Sequence, residues 1–427
     1  MNNFKYIITF IAIFLTLLNG CEDRSDLTAP GKPNTGDADF TRFVSIGNSL
    51  TQGEQSGSVF ASGQEYSFGN LIANQVGTSF EQLLFTDPGT GGRIEASSIN
   101  PFVTTINTTQ GAPINLTYPA PFNNLGVKGA FISDVINARS AQTCYTAQFG
   151  SPNPLFDAVL RGSGTQLELA IAQNPTFVTL WIGNNDILAY ATRGGLFPIT
   201  DPTVFKNTYE QILNGLATTG AKVVIANIPD VTSIPFFNTV GPTLMASGTN
   251  AVVGTKADGS IALLSLTENF LTLQASAELA AGKGTALDKP LSNGVILDAS
   301  EIAVAKQIVT AYNQAIAGLA AAKNYPVVDI NAFFTNIAAN GLFVDGLNFS
   351  TQYVSGGIFS LDGVHPTSRG YGIIANEFIK VINSKYKAAI PLINVSTIPG
   401  SLVLAGAKLN KKTILNFPQG MFDNILF

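Results

Sequence analysis

The sequence predicts a doubly wound α/β fold, in which a parallel sheet is covered by helices on both faces. Four short apolar runs rich in β-branched residues are nearly continuous rather than alternating, which is typical of strands buried on both faces of a parallel sheet. Helical patterns lie between or after these runs, and alternation of strand and helix favours this class of fold. The four predicted strands are residues 43–46, 177–182, 223–228 and 327–330.

Two helices are the most clearly marked. The first begins at Asp298 with Glu301 three residues later, which is the pattern of a capping box. Apolar residues then recur on one face, from Ile302 to Leu319, as in a helix with one buried side. The second is predicted over residues 368–383, where apolar side chains again recur at helical spacing.

Composition limits the class of protein. Of 427 residues, 45% are hydrophobic, enough to bury a sizeable core and to exclude a disordered chain. The formal net charge of −5 leaves no basic stripe, so nucleic acid is not an expected partner. The Gly/Ser/Thr/Asn-rich stretches 57–120 and 236–297 fit the alternation poorly. We expect them to be long loop insertions in one domain, residues 41–393, that shape the mouth of its active site.

The first twenty residues predict a lipoprotein signal peptide. Lys5 gives a short basic start, and residues 6–18 form an apolar run that is too short to span a bilayer as a helix. Residues 18–21, Leu-Asn-Gly-Cys, resemble the lipobox of bacterial lipoproteins, with Cys21 as the acylated first residue. An ordinary secretory signal with a coincidental cysteine is the alternative. We expect an exported protein held by lipid on a bacterial membrane, on the outer membrane or at the cell surface.

The two ends of the mature chain have different predicted roles. Residues 21–40 are polar and rich in Pro and Gly, which predicts a flexible tether. The acidic pair Glu22-Asp23 resembles the surface-export signals of some lipoproteins, which is a weak indication. Residues 394–427 are expected to be a C-terminal extension packed on the domain. With Cys21 acylated, Cys144 has no partner, which excludes a disulfide framework and a zinc site of Cys and His ligands.

The first candidate for chemistry is Ser49. It lies in residues 43–51, Phe-Val-Ser-Ile-Gly-Asn-Ser-Leu-Thr, where a buried strand breaks into a small polar turn. Functional residues of α/β sheets lie at the carboxyl ends of strands, so this turn is well placed to present a side chain. A serine hydroxyl is a poor nucleophile until a base removes its proton. Taken alone, Ser49 could equally be the N-cap of the next helix.

The second candidate is His365, the only histidine of the chain. It alone has a side chain whose unperturbed pKa lies near neutrality, which makes it the ordinary candidate for a general base. Asp362, three residues earlier, could accept a hydrogen bond from Nδ1, fix the tautomer and stabilise the imidazolium. A histidine with only a structural role at a helix start is the alternative.

Two further turns contain candidate donors for a developing oxyanion. Asn185 follows a predicted strand directly, and its side-chain amide could donate there, while Asn184 or Asp186 caps the following segment. In residues 123–130, Gly129 or Gly126 would allow a backbone N–H to approach a substrate closely. Ordinary turn chemistry is the alternative for both segments.

Together these four blocks resemble the SGNH (GDSL) hydrolases, which carry Ser, Gly, Asn and His in separate blocks in this order. The resemblance implies a flavodoxin-like three-layer α/β/α sandwich and hydrolysis of esters without metal or cofactor. Carried over residue by residue, Ser49 matches the nucleophile, and Asp362 and His365 match the D-x-x-H pair. Gly129 and Asn185 match the oxyanion donors, together with the N–H of Ser49.

One departure from that family concerns the residue before the nucleophile. The usual Gly-Asp-Ser-Leu reads Gly-Asn-Ser-Leu at residues 47–50, and Asn can keep the hydrogen bonds of the turn. The rival G-x-S-x-G elbow of α/β-hydrolases fails, because Thr51 stands where its second Gly belongs. The sequence therefore predicts an esterase, lipase or deacetylase that acts on a lipid, an acetylated glycan or another small ester through an acyl-enzyme. A catalytically weak binding or structural lipoprotein of the same fold is the alternative, to which Asn48 gives some support.

Overall fold

The computed structural model describes residues 32–99 and 102–400, which contain both strands and helices. The strands are β1 (Phe43–Gly47), β2 (Arg93–Ile99), β3 (Phe102–Asn107), β4 (Phe177–Trp181), β5 (Lys222–Ala226), β6 (Ala251–Thr255), β7 (Ile261–Ser265), β8 (Phe270–Leu271), β9 (Ile296–Leu297), β10 (Val327–Val328), β11 (Leu342–Val344) and β12 (Leu347–Phe349). The α-helices are α1 (Ser49–Gln52), α2 (Ala61–Gln64), α3 (Phe68–Val76), α4 (Asp134–Asn137), α5 (Leu155–Leu160), α6 (Gln166–Ala172), α7 (Asn185–Thr192), α8 (Pro202–Ala217), α9 (Val240–Ala246), α10 (Ala275–Ala280), α11 (Ala299–Ala322), α12 (Ile330–Asn340) and α13 (Ser368–Tyr386).

A four-stranded parallel sheet lies at the centre, in the order β1-β4-β5-β10. Each of its strands falls on one of the four apolar runs, so the prediction of an α/β fold with a parallel central sheet is confirmed. The strands β1 and β4 are buried along their whole length. A strand covered on both faces must be apolar at every position, which is why the runs are continuous.

Helices cover both faces of this sheet. On one face, Phe177 packs against Tyr386 and Trp181 packs against Phe378, and both partners belong to α13. Successive strand residues point to opposite faces, so Val178 points away from α13, and it is equally buried. On that second face α6 contacts β1 and packs against α8. The result is the three-layer arrangement that the strand pattern predicts.

The two predicted helices are present. Asp298 caps α11 by accepting hydrogen bonds from the N–H groups of Ser300 and Glu301, and the Glu301 carboxylate accepts from the N–H of Asp298. This is the predicted capping box. The helix α13 begins after Thr367, whose hydroxyl caps it, and extends three residues beyond the predicted end at residue 383.

The expected loop insertions contain regular structure. Residues 57–120 include the β2–β3 hairpin, but they also include α3, which packs against α13 as part of a helical layer. Phe68 of α3 stacks on Phe378, with ring centroids 4.7 Å apart. The interpretation of the whole stretch as an insertion is therefore wrong for α3. The second stretch, residues 236–297, holds the β6–β7 and β8–β9 pairs together with α9 and α10.

The folded part of the chain begins earlier than expected. Residues 21–40 are predicted to be a tether, yet Asn34 pairs with Ala389 and Phe40 is buried against Phe177. The packed chain thus starts at Asn34 rather than at residue 41, because Phe40 completes the aromatic cluster at the start of β1.

Several predicted segments lie outside the described residues. They are the signal peptide, Cys21, the first part of the tether and residues 401–427 of the C-terminal extension. The start of that extension packs on the domain, since Val395 and Ile398 are buried. Within residues 32–99 and 102–400, no helix is both long and apolar enough to cross a membrane.

Candidate active site

Ser49 lies at the carboxyl end of β1, as the first residue of α1. The side chain of Asn48 caps this short helix, with Oδ1 accepting from the N–H of Leu50 at 3.1 Å. Gly47 permits the sharp turn, because a Cβ there would lie 2.4 Å from the carbonyl oxygen of Trp181. The sequence Gly-Asn-Ser-Leu therefore ends the strand, caps the helix and presents the hydroxyl of Ser49.

Asn48, which stands where an aspartate is usual, also contacts the next turn. Its Nδ2 donates to Oδ1 of Asn184 at 3.2 Å, which joins the ends of β1 and β4. An ionised aspartate at position 48 has no proton to give to that oxygen. The neutral amide therefore matches its neighbour, and both residues are buried.

His365 lies between Ser49 and Asp362. Its Nε2 is 2.9 Å from Oγ of Ser49, and its Nδ1 is 2.8 Å from Oδ2 of Asp362. All three residues are buried. The structure therefore brings together three predicted residues that lie more than 300 positions apart at their extremes, in the order hydroxyl, imidazole, carboxylate.

The turn before α13 fixes this arrangement. Oδ1 of Asp362 accepts from the N–H groups of Val364 and His365, each at 2.8 Å. Oδ2 accepts from the N–H of Gly57 at 2.7 Å. Burial raises the pKa of Asp362, but the adjacent His365 and these hydrogen bonds outweigh it, so the pKa lies below its usual value of 3.8. The carboxylate is therefore ionised at neutral pH.

The pKa of His365 is shifted in the opposite direction. Burial lowers this pKa, because it disfavours the charged imidazolium. The carboxylates of Glu54 and Asp362, together with the hydrogen bond to Asp362, outweigh burial and raise the pKa above 6.5. The imidazole is thus a stronger base than an isolated histidine.

Asn185 faces the same space as Ser49. It is the first residue of α7, and it lines a pocket together with Ser49 and His365. One amide hydrogen on Nδ2 is donated to the carbonyl oxygen of Ala130 at 2.9 Å. The second hydrogen of the amide is left for another acceptor.

The two candidate glycines have different surroundings. The N–H of Gly126 donates to Oδ1 of Asn124 at 2.9 Å, and a Cβ there would lie 2.5 Å from the backbone nitrogen of Gln52. Gly126 is therefore needed for close packing. Gly129 has a φ of +77°, and its N–H, like that of Ser49, donates no hydrogen bond to a described residue. Gly129 is not among the described residues that line the pocket. It is next to Ala130, whose carbonyl oxygen accepts the hydrogen bond from Asn185.

The pocket beside Ser49 is small and apolar. Its volume is about 40 Å³. This is room for a few waters or a small organic group. Apart from the polar residues at the turn, the walls are mainly apolar side chains: Leu50, Trp181, Leu188, Val231, Ile234, Phe334, Phe359 and Val364.

None of the described residues that line the pocket beside Ser49 belongs to 57–120 or 236–297. The walls come instead from residues 229–234, which follow β5, and from Phe334 of α12, because the carboxyl ends of the central strands open towards these segments. The second stretch contacts the turn that carries His365, since the N–H of Phe236 donates to the carbonyl oxygen of Gly363 at 3.0 Å. That these stretches shape the mouth of the site stays a prediction.

Comparison with family models identifies the protein family of the chain. The model of the GDSL-like lipase/acylhydrolase family matches residues 43–378. The chain belongs to this family. It is thus a serine hydrolase acting on carboxylic ester bonds, and the predicted family and enzyme class are confirmed.

Two solved structures found by comparison of the fold have distant sequences. A catalytic mutant of the acetylxylan esterase Axe2 from Geobacillus stearothermophilus is 11% identical, with a TM-score of 0.37, over 81% of this chain and 95% of that chain. The lipase/acylhydrolase from Enterococcus faecalis is 12% identical, with a TM-score of 0.34, over 82% of this chain and 98% of that chain. No curated protein matches the sequence.

Two charged residues of this GDSL-type hydrolase are at the site but were not predicted. Glu54 follows α1, and one of its carboxylate oxygens lies 3.4 Å from Nε2 of His365. Lys128 precedes Gly129, and its ammonium lies 2.8 Å from the other oxygen. Both side chains are buried. A buried ion pair has no periodic pattern in sequence, and only the position of Lys128 within the glycine block could have drawn attention to it.

The same residues are the place where a metal would be sought. Glu54, Asp362 and His365 offer ligand-type atoms within 4.8 Å of one another. The ammonium of Lys128 already supplies a positive charge beside Glu54, and both imidazole nitrogens have hydrogen-bond partners. The donor set therefore fits an ion-paired imidazole better than a metal centre. Independence from metal stays a prediction.

Proposed function

We propose that this hydrolase cleaves esters of short acyl groups through an acyl-enzyme formed on Ser49. The observation that supports it is the contact of 2.9 Å between Oγ of Ser49 and Nε2 of His365, whose Nδ1 is held by Asp362. In this geometry the imidazole can accept the hydroxyl proton as a bond forms.

Acylation begins when Oγ of Ser49 attacks the ester carbonyl carbon and its proton passes to Nε2 of His365. The carbonyl oxygen becomes an oxyanion that accepts hydrogen bonds from the N–H groups of Ser49 and Gly129 and from Nδ2 of Asn185. When the tetrahedral intermediate collapses, the carbon–oxygen bond to the alcohol breaks, and the alcohol oxygen takes the proton from Nε2.

Deacylation repeats these steps with water. His365 removes a proton from the water, whose oxygen attacks the acyl carbon and forms a second oxyanion in the same place. Collapse of this intermediate releases the carboxylic acid and returns the proton to Oγ of Ser49. Asp362 holds the imidazole in the productive tautomer throughout.

The pocket supports a short acyl chain. A volume of about 40 Å³ beside Ser49 favours a small acyl group such as acetyl or butyryl. The apolar walls suit the alkyl tail and do not limit the alcohol half of the ester. The pocket therefore favours an acetylated glycan or another small ester over a long-chain lipid as the substrate.

A panel of p-nitrophenyl acetate, butyrate, octanoate and palmitate tests this proposal. We expect kcat/KM to be highest for acetate or butyrate and to fall steeply at octanoate, and we expect Ser49→Ala to remove activity on every ester. Phe334→Ala removes part of the pocket wall and should shift the preference to longer chains. A wild-type preference for palmitate would contradict the short-chain proposal.

We propose that the protein is exported and anchored through acylated Cys21. The pattern of residues 18–21 supports this location. Several acyl chains, each adding about 0.8 kcal/mol per buried CH₂, would hold the protein firmly on a membrane. Cys21→Ser should abolish incorporation of labelled palmitate and release the protein from the membrane fraction. If the variant still incorporates palmitate, the lipobox interpretation is wrong.

A further inference from the structure

A buried ion pair lies against the imidazole of His365, on the side opposite Asp362. The Glu54 side chain is fully buried and that of Lys128 is 5% exposed. Oε1 of Glu54 is 2.8 Å from the ammonium, and Oε2 is 3.4 Å from Nε2 of His365. Taking two charges out of water costs several kcal/mol per ion, and their attraction offsets that cost only when the geometry is good. A pair at this position therefore invites a functional explanation.

The pair is connected to the other side of the imidazole by the backbone. The ammonium of Lys128 donates to the carbonyl oxygen of Gly57 at 2.7 Å. The N–H of the same Gly57 donates to Oδ2 of Asp362 at 2.7 Å, and Asp362 contacts Nδ1 of His365. These contacts form a closed network of five residues, which we call the Glu54 network: Glu54, Lys128, Gly57, Asp362 and His365.

We propose that Glu54 is a positioning residue for ester hydrolysis, which stabilises the imidazolium of His365 from the Nε2 side while Lys128 compensates the buried charge of Glu54. The inference rests on the proposed roles of Ser49 and His365. In the resting state Nδ1–H of the neutral imidazole donates to Asp362, and the lone pair of Nε2 accepts from Ser49. The Glu54 carboxylate then faces a nitrogen that has no proton to give it.

Proton transfer changes this contact. Once Nε2 has taken the proton of Ser49, the imidazolium is attracted by a carboxylate on each side. An opposite charge within about 4–6 Å favours the charged form of a titratable group. Glu54 therefore lowers the energy of the intermediate in which His365 is charged. At low pH Glu54 also favours the imidazolium of His365 before the reaction begins, and a protonated imidazole cannot act as a base.

The charges around His365 give the direction of the effect. Asp362 faces it from its own turn, Glu54 from the segment after α1, and Lys128 from the glycine block. The hydroxyl of Tyr371 on α13 donates to the carbonyl oxygen of Glu54, and burial keeps the pKa of Tyr371 well above 10. Tyr353, which donates to the carbonyl oxygen of Leu361, is likewise buried and has a raised pKa, so both tyrosines are neutral.

Two carboxylates and one ammonium thus leave one excess negative charge beside a neutral imidazole. Protonation of the imidazole balances it, and burial opposes protonation. Replacing Glu54 should therefore make His365 a weaker base, and replacing Glu54 together with Lys128 should do so to a smaller extent.

The experiment uses the fact that the chain has one histidine. In the full protein, carrying a tag without histidine, NMR of the imidazole reports the titration midpoint of His365 without ambiguity. We expect Glu54→Gln to lower this midpoint by about one pH unit or more, and the acidic limb of kcat/KM to move with it. The double variant Glu54→Gln/Lys128→Met should show a smaller shift in the same direction. Glu278→Gln, which breaks the ion pair of Glu278 with Lys283, should leave the midpoint unchanged.

An unchanged NMR midpoint in folded Glu54→Gln overturns the proposal and makes Glu54 a structural residue. If that variant does not fold because Lys128 is left unpaired, the double variant contains no unpaired charge and decides the question by the same criterion. Covalent labelling of wild type by a fluorophosphonate separates this from the proposed function. If the wild-type protein takes no label but Glu54→Gln lowers the titration midpoint of His365, the proposed role of Ser49 is wrong and the effect of Glu54 on His365 stands. If the wild-type protein is labelled and Glu54→Gln leaves the midpoint unchanged, only the proposed role of Glu54 is wrong.

Discussion

Replacing Asn185 with alanine tests whether its amide stabilises the transition state or binds the substrate in the ground state. The amide is buried, lines the pocket and donates one hydrogen to the carbonyl oxygen of Ala130 at 2.9 Å. Loss of an oxyanion donor costs about 10² to 10³ in kcat, or about 2.7–4 kcal/mol of barrier, because charge develops on that oxygen only in the transition state. We therefore expect kcat to fall by this factor with little change in KM.

The same substitution also affects folding, so a control is needed. Removing the amide leaves the carbonyl of Ala130 without its donor, which costs about 1–3 kcal/mol in the free energy of unfolding. Asn376 on α13 is a matched control: it is buried, its Nδ2 donates to the carbonyl oxygen of Ile393 at 2.9 Å, and it does not line the pocket. Asn376→Ala also loses the bond that its Oδ1 accepts from the N–H of Ile393, so it should destabilise at least as much.

Steady-state kinetics on p-nitrophenyl acetate and urea unfolding of both variants test the reasoning. We expect both to lose stability and only Asn185→Ala to lose kcat. A change in KM alone would assign Asn185 to substrate binding. Equal losses of kcat in the two variants would mean that destabilisation, rather than loss of an oxyanion donor, explains the effect.

Three further predictions concern stability and metal dependence. Gly126→Ala should lower the melting temperature measured by thermal unfolding, because a Cβ at Gly126 would lie 2.5 Å from the backbone nitrogen of Gln52 in the nucleophile turn. Burial raises the pKa values of Asp134 and Asp186 to about 7, so the folded state holds protons that the unfolded chain has lost. Between about pH 4 and pH 7 the free energy of unfolding of wild type should therefore fall with rising pH more steeply than that of Asp186→Asn, by up to about 1.4 kcal/mol per unit, as urea titrations at several pH values would measure. Activity should be insensitive to EDTA, and a large loss that zinc or manganese restores would instead indicate a metallo-esterase.

The features that were predictable are those that leave a local pattern. The central strands are continuous apolar runs because both of their faces are covered, and Asp298 with Glu301 marks the start of α11 because a capping box has a fixed spacing. The candidate nucleophile and base could be predicted for a different reason, because the chain contains one histidine and an aspartate lies three residues before it.

The features that were missed depend on tertiary contacts. The stretch 57–120 is rich in small polar residues, which hides the apolar face of α3. The pocket wall after β5 depends on where loops meet above the sheet, and no pattern in the chain encodes that. Nor does any pattern indicate that Glu54 and Lys128 lie together, since their partnership needs two turns from different parts of the chain.

The central claim, that His365 activates Ser49, is tested most directly by a fluorophosphonate probe with mass-spectrometric mapping of the labelled residue. Only a serine made nucleophilic by a neighbouring base reacts readily with such a probe. We predict one label, on Ser49, which Ser49→Ala abolishes together with esterase activity. His365→Ala should slow labelling severely, and Asp362→Ala should slow it less, because the imidazole remains and only its orientation and charge support are lost. A folded wild-type protein that takes no label would contradict the account and favour a binding protein, whereas labelling that survives Ser49→Ala would mean that another serine is the nucleophile.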